Sequence, residues 1–177
     1  MTNLKEKFEN EIMGTYRENG IYILQDRNVV SEIECMERFA SKGDSEMSQY
    51  CYKHALEKAE EFHTKRLSPA TVQVGDGVTI HLYSDAHAGT VIKKTKTTIT
   101  VQQDKATIDP NFKPEFVVGG FAGHCTNQNE QTYTYERDPN GSITTYRWSN
   151  KYNRYQGGGD RSITVTKGRR EFYDYNF

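Results

Sequence analysis

Ser84-Asp85-Ala86-His87 places a hydroxyl, a carboxylate and an imidazole within one short segment, the group types that general acid/base chemistry uses. In that role His87 moves the proton, Asp85 orients it, and Arg137 or Arg154 holds a phosphate. Turn chemistry accounts for the same residues, because Ser and Asp side chains accept backbone hydrogen bonds in exposed reversals. On that reading Asp85 and His87 serve structure or partner binding. A second grouping, Arg147-Trp148-Ser149-Asn150-Lys151-Tyr152-Asn153-Arg154-Tyr155, interleaves cations with aromatics. Cations hold a phosphate backbone and aromatic faces stack bases. Arg161, Lys167, Arg169 and Arg170 extend it, so that residues 147–170 hold seven basic residues against one acid, Asp160. The alternatives are a solvated strand face whose aromatics pack inward, or a protein-binding patch.

Other groupings carry less. His124-Cys125, with His81 and His87 elsewhere, supplies zinc-type ligands, but adjacent ligands are awkward and no second pair is spaced to match. Gly157-Gly158-Gly159 and Gly119-Gly120 lack the Lys-Ser/Thr ending or the G-x-G-x-x-G spacing of a phosphate cradle and read as turns. No metal or cofactor is therefore expected, and the expectation is a binding protein, not an enzyme. The candidate binding residues are Arg147, Trp148, Lys151, Tyr152, Arg154, Tyr155, Arg169 and Arg170, with Asp85 and His87.

These residues must be positioned by a chain of 177 residues, long enough to bury a core without staples. Cys35, Cys51 and Cys125 are scattered, odd in number and without a C-x-x-C pair, so they read as reduced thiols in a reducing compartment. No apolar run of about 18 residues occurs, and Met1 to Met13 is charged and amphipathic, so neither a membrane span nor an export signal is expected. The net charge of −1 hides an asymmetry: residues 1–69 carry ten Lys/Arg against thirteen Asp/Glu, residues 70–177 thirteen against eleven. Twelve tyrosines and eight phenylalanines favour strands with aromatic cross-strand pairs.

The periodicity divides the chain at Ser68-Pro69. Before it, Leu4, Phe8 and Ile12 share a helix face ending near Gly14, and Ile21 to Leu24 is a short apolar run that fits a strand. Ser31 and Glu34 form a capping box for a helix through about Lys42, closed by Gly43. A helix over roughly 45–66 carries Met47, Tyr50, Cys51, Ala55, Ala59 and Phe62 as its apolar stripe. From Ala70 the period becomes two, with strands expected at Thr71–Val74, Val78–Leu82, Thr90–Ile92 and Thr98–Val101. A long loop follows from Asp109 to about Glu130. Thr132–Arg137 and Ser142–Trp148 read as a hairpin joined by Asp138-Pro139-Asn140-Gly141, in which Asn-Gly permits left-handed positions. A reversal at Gly157–Asp160 precedes a strand over Ser162–Val165, and a last strand is expected near Glu171 to Phe177.

Val72-Gln73-Val74-Gly75-Asp76-Gly77-Val78-Thr79-Ile80, followed by Ala88-Gly89-Thr90-Val91-Ile92 and Ile99-Thr100-Val101-Gln102-Gln103-Asp104, resembles the opening of KOW-like and other SH3-type barrels. The fold class expected is α+β: an N-terminal helical hairpin (1–69) followed by an antiparallel β domain with an SH3-like small barrel (70–177). More broadly, Gly75-Asp76-Gly77, Tyr83-Ser84-Asp85-Ala86-His87-Ala88 and Glu136-Arg137-Asp138-Pro139-Asn140-Gly141 resemble a group of uncharacterised small bacteriophage and prophage proteins. The resemblance implies a bacterial host cytoplasm and action by binding: to DNA or RNA, a host protein, or a nucleoprotein complex such as a CRISPR nuclease, with a homodimer as an option. Inhibition of such a defence nuclease is the most concrete form of this expectation. An enzyme acting on nucleotides or phosphodiesters, and a sponge for a cyclic-nucleotide signal, are the alternatives.

Overall fold

The computed structural model describes residues 3–119, 122–157 and 159–177. It is α+β, as the change of period implies, and it divides into two compact units, residues 1–71 with 150–153 and residues 72–149 with 154–177.

The helical unit contains α1 (Leu4–Tyr16), α2 (Glu18–Ile23), α3 (Arg27–Ser41) and α4 (Ser45–Lys65). Asn3, Asp26 and Asp44 cap α1, α3 and α4 by accepting the amides of Lys5, Asn28 and Met47, each at 3.0 Å. The cap of α3 is thus Asp26, not Ser31, which lies inside the helix. Ile21 to Leu24 is helical rather than extended, because so short an apolar run does not distinguish a strand from a buried helical turn. Phe8, Ile12, Ile23, Val29, Met36, Cys51, Ala55, Ala59 and Phe62 form one core. The buried face of α4 runs through Ser48 and Tyr52, leaving Met47 and Tyr50 exposed and correcting the stripe read from sequence. Among the described residues, no helix is long and apolar enough to cross a membrane.

The β unit is built on a closed barrel of six strands in the order β1 (Gly77–His81), β10 (Thr164–Lys167), β9 (Arg154–Gly157), β8 (Ile143–Ser149), β3 (Thr98–Gln103) and β2 (Ala86–Lys94). The expected small barrel is present. Its opening turn uses Gly75 at φ 98°, a conformation that favours glycine, with the Gly75 amide donating to Val91 O at 2.8 Å and the Gln73 amide to Asp76 Oδ2 at 2.7 Å. These turns occupy the place of the strand expected at Thr71–Val74. Val78, Ile80, Val91, Ile99, Val101, Tyr146, Trp148, Tyr155 and Val165 fill the barrel interior.

Two ribbons supplement the barrel: β4 (Lys105–Ile108) with β7 (Tyr133–Glu136), and β5 (Phe116–Gly119) with β6 (Ala122–Cys125). The segment Asp109–Glu130 therefore contains a hairpin and a 3-10 turn, Gln128–Glu130, rather than one long loop. The expected pairing of Thr132–Arg137 with Ser142–Trp148 does not form: β7 pairs with β4, and β8 with β3 and β9. Asp138–Gly141 joins two sheets, and neither Asn140 nor Gly141 has a positive φ. Gly141 is required for space, since a Cβ there would lie 2.0 Å from Gln103 O. The last residues are a strap, bridged to the sheet at Ala86 and Phe172, rather than the strand expected over Glu171–Phe177.

Candidate functional site

Alternation along β3, β8 and β9 decides which side chains the barrel shows to solvent. Tyr146, Trp148 and Tyr155 point inward, Trp148 and Tyr155 meeting edge to face at 5.1 Å between ring centroids. The opposite face carries Thr98, Thr100, Ile143, Thr145, Arg147, Arg154 and Gln156, of which Gln156 is buried and donates to Arg161 O at 2.9 Å. The register places Arg147 between Thr98 and Gln156, and Thr100 beside Thr145 with their hydroxyls 3.1 Å apart. The strands and the β2–β3 hairpin, residues 92–103, 143–149 and 154–157, carry Lys93, Lys94, Lys96, Arg147 and Arg154 and no carboxylate. Lys93, Lys96 and Arg147 are exposed, while Lys94 Nζ donates to Val72 O at 2.7 Å. The acids next to these segments in sequence are Asp104, which directly follows β3 and is buried, and Asp138 and Asp160 in the flanking turns.

The basic-aromatic tract is thereby redistributed. Trp148 and Tyr155 belong to the barrel core and offer no stacking surface, whereas Arg147 stands exposed and Arg154 half-buried. Lys151 and Tyr152 lie in the turn that groups with the helical unit, where Asn153 Nδ2 donates to Tyr22 O at 2.7 Å; the Lys151 ammonium lies 5.2 Å from the Tyr152 ring centroid. Arg170 lies over the Phe172 ring at 5.3 Å. The alternation of Tyr146 and Trp148 about Arg147 is a period-two signal from which the inward direction of the aromatics was readable.

Arg169 is committed to a network around a buried carboxylate. Its Nε donates to Asp104 Oδ2 at 2.7 Å and its Nη2 to Thr90 Oγ1 at 2.8 Å, while the Thr90 hydroxyl lies 2.8 Å from both Asp104 oxygens. The Asp104 carboxylate is fully buried, with Arg137 Nε a further 3.8 Å away. The Arg137 side chain is half exposed beside that carboxylate.

His87 and Asp85 do not form the pair that sequence proximity suggests. His87 Nδ1 lies 2.8 Å from Glu171 Oε1, and Glu171 Oε2 accepts the Ala88 amide at 2.8 Å. The Tyr135 hydroxyl accepts the Glu171 amide at 3.2 Å, and Asp85 Oδ1 accepts the Asp174 amide at 2.9 Å. The hydrogen bond to Glu171 raises the His87 pKa above its ordinary value; burial opposes the rise, and the charges of Glu171 and Asp85 add to it. Glu171 is the residue that sequence reasoning missed, because it lies 84 positions from His87.

The histidines considered as zinc ligands take separate partners. His81 Nε2 lies 2.7 Å from Thr166 Oγ1, His87 binds Glu171, and His124 sits on β6 opposite Val117. Burial, then the charge of Arg170, lowers the His81 pKa. Among the described residues, no group of three or more His, Cys, Asp or Glu side chains is gathered to hold a metal. A cleft of about 340 Å³ lies beside β4 and β7, lined by Ile108, Asp109, Pro110, Thr132 and Tyr133 among others, and His87 is not in its wall. No family model, curated protein or solved structure matches the chain.

Proposed function

We propose that the β unit binds the phosphate backbone of a nucleic acid across the outer face of β3, β8 and β9. The observation that carries this reading is the absence of any carboxylate from these strands and the β2–β3 hairpin, beside Lys93, Lys96, Arg147 and Arg154. Cations attract the backbone, and the hydroxyls of Thr98, Thr100 and Thr145 supply short donors to phosphate oxygens. With Trp148 and Tyr155 in the core, contact is through phosphate rather than base stacking, which makes it insensitive to sequence.

In this reading the chain is a phage-type binding effector in a bacterial cytoplasm, engaging a nucleic acid or a nucleic-acid-handling host complex. Its most concrete form is an inhibitor that occupies the nucleic-acid path of a defence nuclease such as a CRISPR effector. The phage resemblance in residues 72–177 and the acid-free face support it. The test titrates the purified chain into labelled single-stranded DNA, single-stranded RNA and duplex DNA of one length and several sequences. Binding at low salt that varies little with sequence is expected; no binding to any of them at low salt would remove the reading.

A second reading rests on the His87–Glu171 pair. An imidazole held by a carboxylate and raised in pKa is suited to proton transfer, here on a nucleotide or phosphodiester. Hydrolysis of such a substrate, lost in His87→Ala with the fold retained, would favour this reading over binding.

A further inference from the structure

The helical unit brings together two residues that the sequence keeps apart. Cys35 lies eight positions before Gly43 and Cys51 eight after it, so the α3–α4 hairpin sets them level. Gly43 at φ 75° makes the turn, and Ser48 Oγ donates to Met36 O at 3.1 Å, fixing how α4 lies along α3. Cys51 Sγ donates to Cys35 Sγ at 3.0 Å, about 1 Å longer than a disulfide bond of ~2.05 Å. Both are free thiols, Cys51 buried and Cys35 partly exposed.

We propose that Cys35 and Cys51 are a redox-active pair that closes to a disulfide between α3 and α4 by exchange with a low-molecular-weight disulfide such as oxidised glutathione, with Cys35 as the attacking sulfur.

The surroundings distinguish the two sulfurs. Cys35 Sγ, the more accessible sulfur of the two, accepts from Cys51 Sγ at 3.0 Å and from Arg38 Nη2 at 3.6 Å, so a donor and a guanidinium converge on it. The Arg38 guanidinium is itself seated over the Phe39 ring at 5.1 Å. Burial, then the hydrogen bond to Cys35, holds the Cys51 thiol above its ordinary range, which keeps its proton until Cys35 has reacted.

The exchange balances in two steps. The Cys35 thiolate attacks one sulfur of the small disulfide, forming a mixed disulfide and expelling one small thiolate, which takes up the proton that Cys35 gave up. Cys51, losing its proton as it attacks Cys35 Sγ, then expels the second small thiolate, which takes up that proton. Two protein thiols are oxidised by two electrons and one small disulfide is reduced to two thiols. The result encloses the Gly43 turn in a covalent loop.

The test exposes the full chain to excess oxidised glutathione, counts thiols after denaturation and maps linked peptides by mass spectrometry. The thiol count is expected to fall from three to one, with Cys35 linked to Cys51 and Cys125 still free. Cys51→Ala is expected to stop at one glutathione on Cys35, and Cys35→Ser to leave Cys51 unmodified or at least ~10-fold slower than Cys35 reacts, following burial. Circular dichroism confirms that each variant retains its helices, and Cys125→Ser provides a chain with only the pair. Three thiols persisting in the wild-type chain, a linkage through Cys125, or Cys51 reacting as fast as Cys35 would overturn the proposal.

Discussion

Arg169 Nε and Asp104 Oδ2 lie 2.7 Å apart across 65 positions of sequence, and Thr90 Oγ1 bridges them, accepting from Arg169 while donating to the Asp104 carboxylate. The pair ties the residues after β10 to the end of β3. Arg169→Ala leaves the buried Asp104 carboxylate without its nearest donor, a loss of about 1 to 3 kcal/mol for a buried acceptor left without its partner, the Arg169 side chain itself being 34% exposed. Urea denaturation is expected to show that loss, with Asp104→Asn in the Arg169→Ala background costing much less than Asp104→Asn alone. Additive effects would mean that the two residues act independently.

The His87–Glu171 contact gives the strap a pH dependence whose sign is fixed by the direction of the shift. Glu171 raises the folded-state pKa of His87 above its unfolded value of about 6.5. The stabilisation is therefore fully present below about pH 6.5 and is lost as pH rises through the raised folded value. Urea midpoints of wild type and His87→Gln, measured across a pH series, are expected to differ most at the acidic end of the window and to converge as pH rises. A gap that widens with pH would contradict the pairing.

Gly141 tests the turn between the two sheets. A methyl group there would lie 2.0 Å from Gln103 O, so Gly141→Ala requires the backbone to move. A destabilisation of about 1 to 3 kcal/mol is expected, as for other overpacked sites. Gly159→Ala, where nothing lies within 4 Å of the added carbon, is expected to cost little and serves as the comparison in the same thermal melts.

How much was readable follows from the range over which each feature is encoded. Phe8 and Ile12, or Val78 and Ile80, announce helix and strand through spacing within one element, and both pairs are buried as that spacing requires. Val74-Gly75-Asp76 announces the barrel's opening turn because its chemistry is local. Pairing is different. Thr132–Arg137 sits next to Ser142–Trp148 in sequence, but Tyr135 pairs with Ala106 and Tyr146 with Ile99, because strand partners are chosen by where the apolar faces meet. The site shows the same division. Asp85 and His87 stand two positions apart in sequence yet bind different residues of the strap, Asp174 and Glu171. Arg147 and Trp148 are adjacent, yet the pleat sends one to solvent and the other to the core.

The most direct test of the account measures the salt dependence of single-stranded nucleic-acid binding for wild type, Lys96→Glu and Arg147→Glu. Fluorescence anisotropy between about 50 and 200 mM salt gives log K against log salt, whose slope falls by about 0.7 for each phosphate contact removed from a single strand. Each variant is expected to bind more weakly than wild type by about tenfold, with a shallower slope by at least that amount, while its thermal midpoint stays close to wild type because both residues are exposed. Unchanged affinity and slope in both variants would place any nucleic-acid contact elsewhere and contradict the assignment of the β3–β8–β9 face.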